Sequence, residues 1–243
     1  MTVYNIKKGQ AWCGEAVGIL VLDEHIARVP GSVNNAVTFP FPVRYRKIRD
    51  ASVERLLKGR DPRLLEPFLA AARELEVEGV GAIAGGCGFM ALFQEQVAAA
   101  VEIPVFLSSL LQLPLMLRSL NPKRKVGVIT ADSSSLADEH YRQAGVGDTS
   151  RIVVYGLQDQ PECREAMLKE RGTMDAGRMR QEVLEVARRM TSECPEVGSI
   201  LLECSELPAY ARAVRDATGL PVFDFATLIF HAGAAVLQRD YGA

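Results

Sequence analysis

The sequence predicts an α/β protein made of two pseudo-symmetric parallel-sheet lobes, with a site in the cleft between them. Two observations predict this fold: apolar strand-like runs alternate with helix-like segments, and part of the chain occurs twice. Alternating strands and helices favour parallel sheets joined by crossover helices. The repeat then divides the fold into two lobes of similar design, which indicates an internal duplication.

The repeat is clearest between residues 80–108 and 197–225, which align without a gap and share nine identities in 29 positions. Each copy reads as an apolar strand, a sharp turn with a cysteine, a helix and a second strand that begins Pro-Val-Phe. Cys87 in the first copy aligns with Cys204 in the second. The two thiols should therefore occupy the same structural place, at the end of a strand just before a helix.

In the first half, the apolar run at 16–22 is typical of a parallel strand that is covered on both faces. Residues 24–48 are rich in proline, glycine and asparagine, so we expect a long loop that folds over the end of the sheet. In chain order the predicted elements are a strand at 16–22, the loop at 24–48, a helix from Asp61-Pro62 to about Glu78, the repeat unit at 80–108 and a helix at 110–120.

The second half begins with a strand, Val126-Gly127-Val128, that resembles Val17-Gly18-Ile19 of the first half. Asp132 and the three serines after it predict a helix N-cap. In chain order the predicted elements are a strand at 125–130, a helix from this cap to about Ala144, a strand at 151–157, a short helix at 159–172, a long amphipathic helix from Asp175 to about Glu193, the repeat unit at 197–225 and an apolar helix at 226–237.

These elements predict a first lobe at 1–120 and a second lobe at 121–225. The last helix, at 226–243, is apolar on nearly every side, so we expect it to be buried by packing back onto the first lobe.

The composition excludes several classes of protein. The net charge of −2 argues against a nucleic-acid or anionic-membrane partner. The N-terminus lacks an apolar signal core, and the most apolar helix is too short to span a bilayer, so we expect a cytoplasmic protein. The five cysteines have spacings that suit neither a disulfide framework nor a zinc site. No dinucleotide-binding or phosphate-loop motif is present, so we expect neither a cofactor nor a metal.

Cys87 and Cys204 are the candidate catalytic residues. Ligands of parallel sheets bind beyond the carboxyl ends of the strands, so both thiols should face the cleft. A helix N-terminus is expected to lower a thiol pKa towards neutrality. One thiol could then remove a substrate proton while the other delivers one to the opposite face. Backbone N–H groups at these turns could bind the substrate carboxylate, and Asn34 on the loop is a further candidate contact; the turn donors are Gly88, Phe89, Ser205 and Glu206.

The turns at 86–89 and 202–205, together with the twofold α/β repeat, resemble the aspartate/glutamate/hydantoin racemase superfamily, and the resemblance covers nearly the whole chain. It implies that Cys87 and Cys204 are the catalytic thiols. It also implies a small carboxylate substrate with an acidic α-carbon, no cofactor, and a homodimer or higher homo-oligomer. The hydroxyl residues that the resemblance places near the substrate are Thr130, Ser133, Ser134 and Ser205.

The function expected on these grounds is racemisation or epimerisation of a small α-substituted carboxylate, such as an amino acid or a hydantoin-like compound. Two alternatives on the same fold are cis–trans isomerisation of an unsaturated diacid and decarboxylation of a malonate. A third is a two-lobed small-molecule binding protein. Asp23-Glu24 stands where the amino-acid racemases usually have Asp-Ser, which counts against aspartate or glutamate as the substrate.

Overall fold

In the computed structural model, which describes residues 3, 5–6 and 8–238, eight strands form two four-stranded parallel sheets. The first sheet has the order β2-β1-β3-β4 and the second the order β6-β5-β7-β8. The predicted α/β class with two parallel-sheet lobes is confirmed. The strands are β1 (Val17–Val21), β2 (Val43–Lys47), β3 (Ala82–Gly85), β4 (Val105–Phe106), β5 (Lys125–Thr130), β6 (Ile152–Gly156), β7 (Val197–Leu202) and β8 (Val222–Phe223).

The sequence repeat is also a repeat of strand pairing. Ile83 of β3 pairs with Val105 of β4. Their counterparts 117 positions later, Ile200 and Val222, pair in the same way between β7 and β8. Both cysteine turns therefore leave strands that hold equivalent places in their sheets.

The helices cover the faces of these sheets. Helix α1 buries Phe68, Ala72 and Leu75 and ends at Gly79, whose φ of +91° is left-handed and suits glycine. Short 3-10 helices at Gly88–Phe93 and Leu207–Tyr210 precede α2 and α7. The α-helices are α1 (Leu65–Glu78), α2 (Gln94–Ala98), α3 (Leu113–Ser119), α4 (Asp138–Gln143), α5 (Pro161–Cys163), α6 (Ala176–Glu193), α7 (Ala211–Thr218) and α8 (Phe225–Val236).

The segment at 24–48 is not one long loop, as the sequence had predicted, because it contains strand β2. This strand pairs in parallel with β1 along its whole length, from Val17 opposite Val43 to Val21 opposite Lys47. Its residues are half-buried or exposed because it lies at the sheet edge. Its three basic residues bind carboxylates outside the cleft. The proline, glycine and asparagine residues before it gave the segment the composition of a loop.

The predicted N-cap at Asp132 is also wrong. The Asp132 carboxylate accepts hydrogen bonds from Ser134 N at 3.0 Å and from Ser135 Oγ at 2.8 Å, within a turn. Helix α4 begins several residues later, at Asp138. Aspartate followed by serines stabilises either a cap or a local turn, and this chain forms the turn.

Helix α8 lies against the first lobe. Its N-cap is Asp224, whose side chain accepts a hydrogen bond from Thr227 N at 2.7 Å. Phe225 and Ile229 belong to a buried cluster that includes Val17 of β1. Within the described part of the chain, no helix combines the length and the apolar character that crossing a bilayer requires.

Candidate active site

Cys87 and Cys204 line the same cavity. Each follows the carboxyl end of a central strand, Cys87 after β3 and Cys204 after β7. The cavity has a volume of about 40 Å³ and lies where the two lobes meet. Its walls come from both lobes and are formed by Glu24, Ile26, Val53, Leu57, Cys87, Gly88, Phe89, Ala131, Met167, Leu168, Glu203, Cys204, Ser205 and Glu206.

The two thiols have matching surroundings. A backbone N–H two residues further along the chain favours the thiolate in each case, from Phe89 for Cys87 and from Glu206 for Cys204. The charge of a Cys87 thiolate also raises the pKa of Cys204. The duplication therefore delivers two similar sulfur groups to one small volume.

The pKa of each thiol lies well above its ordinary value, so the lowering expected from the helix N-termini is wrong. Burial is the main cause for both thiols. Nearby carboxylates add to it: Glu24 and Glu203 raise the pKa of Cys87, and Glu203 and Glu206 raise that of Cys204. The helices after the cysteines begin with short 3-10 segments, so little helix dipole opposes this.

Three carboxyl groups face the thiols. Burial raises the pKa of Glu24 to about 7, although Arg28 acts to lower it. Burial also raises the pKa of Glu203 to about 7, against a hydrogen bond from Thr130. For Glu206 burial again raises the pKa, and Arg28 again opposes it. Two of these three acidic side chains, Glu24 and Glu206, therefore share the guanidinium group of Arg28, and Glu203 does not.

Arg28 joins the two lobes at the edge of the cavity. Its guanidinium forms ion pairs with Glu24, which follows β1, and with Glu206, which follows Cys204. The same stretch of chain is held by a hydrogen bond from Val33 N to Ser205 O at 2.9 Å. The segment between β1 and β2 therefore covers the end of the sheets, as expected.

Of the predicted substrate-binding residues, four line the cavity and two support it. Gly88, Phe89, Ser205 and Glu206 are in its wall. Thr130 Oγ1 donates to Glu203 Oε2 at 2.8 Å. The supporting residue in the first lobe is Asn34, whose Nδ2 donates to Glu24 Oε1 at 3.2 Å and to Gly86 O at 3.3 Å.

Ser133 and Ser134 are not part of the cavity wall. Ser133 hydrogen-bonds with Gln158, and Ser134 Oγ donates to Asp132 Oδ1 at 2.6 Å. Both serines belong to the turn that replaces the predicted helix cap.

Sequence reasoning missed Glu24, Arg28 and Glu203. Glu24 and Glu203 follow the strands β1 and β7 almost directly, so the rule that places ligands at strand carboxyl ends could have found both. Arg28 had no such signal, because its position depends on how the loop folds back over the cleft.

Within residues 3, 5–6 and 8–238, no group of three or more His, Cys, Asp and Glu side chains is arranged to hold a metal ion. The cavity instead offers two thiols, three carboxyl groups, one guanidinium and the N–H groups of two turns. Such a set can exchange a proton with a bound molecule and can bind groups of either charge.

The fold is that of known racemases and decarboxylases. Unliganded arylmalonate decarboxylase matches with a TM-score of 0.57 and 16% identity, over 94% of each chain. Glutamate racemase from Bacillus anthracis matches with a TM-score of 0.58 and 17% identity, over 92% of this chain and 82% of that one. An aspartate racemase homologue from Pyrococcus horikoshii OT3 has a TM-score of 0.54 and 16% identity, over 93% and 100%.

No family model matches the chain. Sequence relatives are nevertheless clear. "Dimethylsulfoniopropionate lyase" of Durusdinium sp. clade D is 32% identical over 86% of this chain and 71% of that protein. "Dimethylsulfoniopropionate lyase 7" and "lyase 3" of Emiliania huxleyi are 30% and 32% identical over 87% of this chain, which spans only 64% and 57% of their lengths. The chain therefore has the fold of the aspartate/glutamate racemases and belongs to the enzyme family that contains the dimethylsulfoniopropionate lyase of Durusdinium.

Proposed function

We propose that this enzyme removes a proton from Cα of a small carboxylate and expels a cationic group from Cβ, with dimethylsulfoniopropionate as the substrate to test first. The observation that carries the proposal is the composition of the cavity, in which two thiols face three carboxyl groups and a single guanidinium. The named relatives support the same substrate.

The charge balance of the cavity favours a substrate with a positive group. A dicarboxylate such as glutamate would bring two negative groups to a site that already holds the acidic side chains Glu24 and Glu206. Among the described residues around the cavity, Arg28 is the cation that offsets them, and it is already bound by both. A sulfonium carboxylate is neutral as a whole, and its positive end would meet the carboxylates.

The same positive end would help to activate the base. Both cysteines are half-buried and both thiols have raised pKa values, so a thiolate is costly in the empty cavity. A sulfonium group bound beside a thiol lowers this cost, because an opposite charge favours the ionised form. The substrate would therefore assist the deprotonation of the thiol that attacks it.

The proposed reaction is a β-elimination. A thiolate takes the proton from Cα, and the electrons of that bond form the Cα–Cβ double bond. The Cβ–S bond breaks and its electron pair leaves on sulfur as dimethyl sulfide. The products are dimethyl sulfide, acrylate and one proton, which passes from the thiol to solvent, so atoms and charge balance. Backbone N–H groups at the cysteine turns would stabilise the charge that develops on the substrate carboxylate.

The test is to incubate the purified protein with dimethylsulfoniopropionate in D2O. Gas chromatography of the headspace measures dimethyl sulfide, and NMR measures acrylate and deuterium at Cα of the remaining substrate. We expect equal amounts of dimethyl sulfide and acrylate. If neither product forms and no deuterium enters Cα at saturating substrate, the proposal is wrong.

Racemisation of a small α-substituted carboxylate is the second candidate. It is favoured by one specific observation, the two thiols on repeat-equivalent turns of one cavity. An elimination needs one base, whereas inversion at Cα without a cofactor needs an acid and a base on opposite faces.

A panel of amino acids and hydantoins in D2O separates the two candidates. Inversion with one deuterium gained at Cα would support racemisation. If the panel shows neither inversion nor exchange while dimethyl sulfide is released, the second thiol has another role.

A further inference from the structure

Glu203 differs from the other two carboxyl groups of the cavity because it has no ion pair with Arg28, and its one side-chain hydrogen bond leaves an oxygen unused. Its side chain is completely buried. Oε2 accepts the hydrogen bond from Thr130, while Oε1 has no hydrogen-bond partner among the described residues. The backbone around it is fixed, since Glu203 N donates to Ile129 O and Glu203 O accepts from Ser109 Oγ. The free oxygen is thus held in place.

The free oxygen reaches across to the turn of the first lobe. It lies over Gly88, where a Cβ atom would collide with Glu203 Oε1. Glu203 comes directly before Cys204 in the chain, and Gly88 comes directly after Cys87. The carboxyl group therefore lies close to both cysteine turns, and it contributes to the raised pKa of both thiols.

The surroundings of Glu203 favour its neutral form. No cationic side chain of the described residues acts on it, whereas Glu24 and Glu206 share Arg28. The titratable groups that face it are Cys87, Cys204 and Tyr141, none of which is positive. A buried carboxylate without a cation is costly, and such a group keeps its proton instead. Because Oε2 accepts from Thr130, the proton belongs on Oε1.

We propose that Glu203 acts as a carboxylic acid whose Oε1–H donates a hydrogen bond to the substrate carboxylate and stabilises the negative charge that develops there as the Cα proton leaves. This inference rests on the proposed function only in its first step, Cα deprotonation, and applies equally to elimination and racemisation. A preorganised donor in a dry site stabilises such charge far better than water does.

Two variants test whether Glu203 acts as a hydrogen-bond donor or as a charged carboxylate. Glu203→Gln keeps a neutral side chain, with an amide N–H in the place of Oε1–H and an acceptor for Thr130. Glu203→Leu has a similar size and no donor. We expect the Gln variant to keep kcat within about tenfold of the wild type, and the Leu variant to lose roughly 10²–10³-fold, as for removal of one oxyanion donor. The exposed Glu66→Gln is the matched control.

The pH dependence of kcat/KM distinguishes a proton donor from a residue with only a structural role, because a structural role would not change this dependence. If the proton on Glu203 is required, kcat/KM of the wild type must fall at high pH, whichever group titrates first. In Glu203→Gln this fall should disappear, and activity should rise with pH until the thiol is ionised. Loss of activity in the Gln variant equal to that in the Leu variant, or a fall at high pH that persists in Gln, would overturn the proposal.

Infrared spectroscopy tests the group independently of turnover. The difference spectrum between wild type and Glu203→Gln at pH 6 should contain the C=O band of a protonated carboxylic acid. This band should shift when propionate, an unreactive carboxylate, is bound. If the protein releases no dimethyl sulfide, the proposed substrate is wrong. The infrared spectrum still tests whether Glu203 is protonated and contacts a bound carboxylate. Absence of the band, or no shift with propionate, would contradict the inference.

Discussion

Arg28 forms an ion pair with Glu206, and this contact joins the segment between β1 and β2 to the turn that carries Cys204. The same guanidinium binds Glu24, so one cation holds two buried carboxyl groups from the two lobes. The side chain of Arg28 is about one-fifth exposed, while those of Glu24 and Glu206 are almost completely buried. The wall of the cavity that faces the thiols therefore depends on a single positive charge.

Replacing Arg28 by Met should destabilise the protein and reduce its activity. The change leaves two buried carboxyl groups without their cation. Loss of one partner of a buried ion pair lowers the free energy of unfolding by up to 3–5 kcal/mol. Protonation of Glu24 and Glu206 should reduce this loss to about 2 kcal/mol. Urea denaturation of Arg28→Met measures the cost. The matched control is Arg212→Met, which removes an exposed ion pair with Asp216 and should cost less than about 1 kcal/mol. Equal costs for the two variants would contradict the role of Arg28.

Gly88 should tolerate no side chain. A Cβ at this position would meet Glu203 Oε1, so Gly88→Ala must displace either the carboxyl group or the Cys87 turn. We expect a loss of roughly 1–3 kcal/mol in stability, as for other overpacked sites, together with a lower kcat. Gly147→Ala is the matched control, because a Cβ there meets nothing within 4 Å. If Gly88→Ala has wild-type kinetics, Glu203 Oε1 does not lie against Gly88.

The stability of the protein should depend on pH through Glu203. Its pKa is raised from 4.5 to about 7 in the folded state, so the folded form binds the proton more tightly than the unfolded one. The resulting stabilisation is complete below about pH 4.5 and is lost as the pH rises to about 7. This shift corresponds to about 3 kcal/mol. The free energy of unfolding of Glu203→Gln minus that of the wild type should therefore rise by about that amount between these pH values. A difference that does not change with pH would contradict the assignment.

The sequence predicts the parts of the site that repeat, and it misses those that do not. Cys87 and Cys204 are found because the same strand and turn occur twice, and the ends of parallel strands meet at one edge. Strand β2 is missed because it is a polar strand at the sheet edge that directly follows a stretch rich in proline, glycine and asparagine.

The thiol pKa values were mispredicted for a different reason. A sequence pattern gives the position of a helix start, but it does not give the burial of a sulfur atom or the carboxyl groups around it. Both effects raise the pKa here, and both depend on how the two lobes and the segment with Arg28 come together.

Single cysteine variants should separate the two candidate reactions. For β-elimination one thiol acts as the base, so either Cys87→Ser or Cys204→Ser should retain substantial release of dimethyl sulfide while the other loses about 10²–10⁴-fold. For racemisation both variants should fail, because each face of the substrate needs its own thiol. Initial rates with dimethylsulfoniopropionate and with a racemised substrate measure this. Cys163→Ser, a buried cysteine outside the cavity, is the control.

The double variant Cys87→Ser/Cys204→Ser tests the central claim most directly. Its rate of dimethyl sulfide release should fall to the background rate without enzyme, while its circular dichroism and thermal unfolding stay close to those of the wild type. A double variant that is folded and releases dimethyl sulfide at the wild-type rate would show that the chemistry takes place without the two thiols of this cavity.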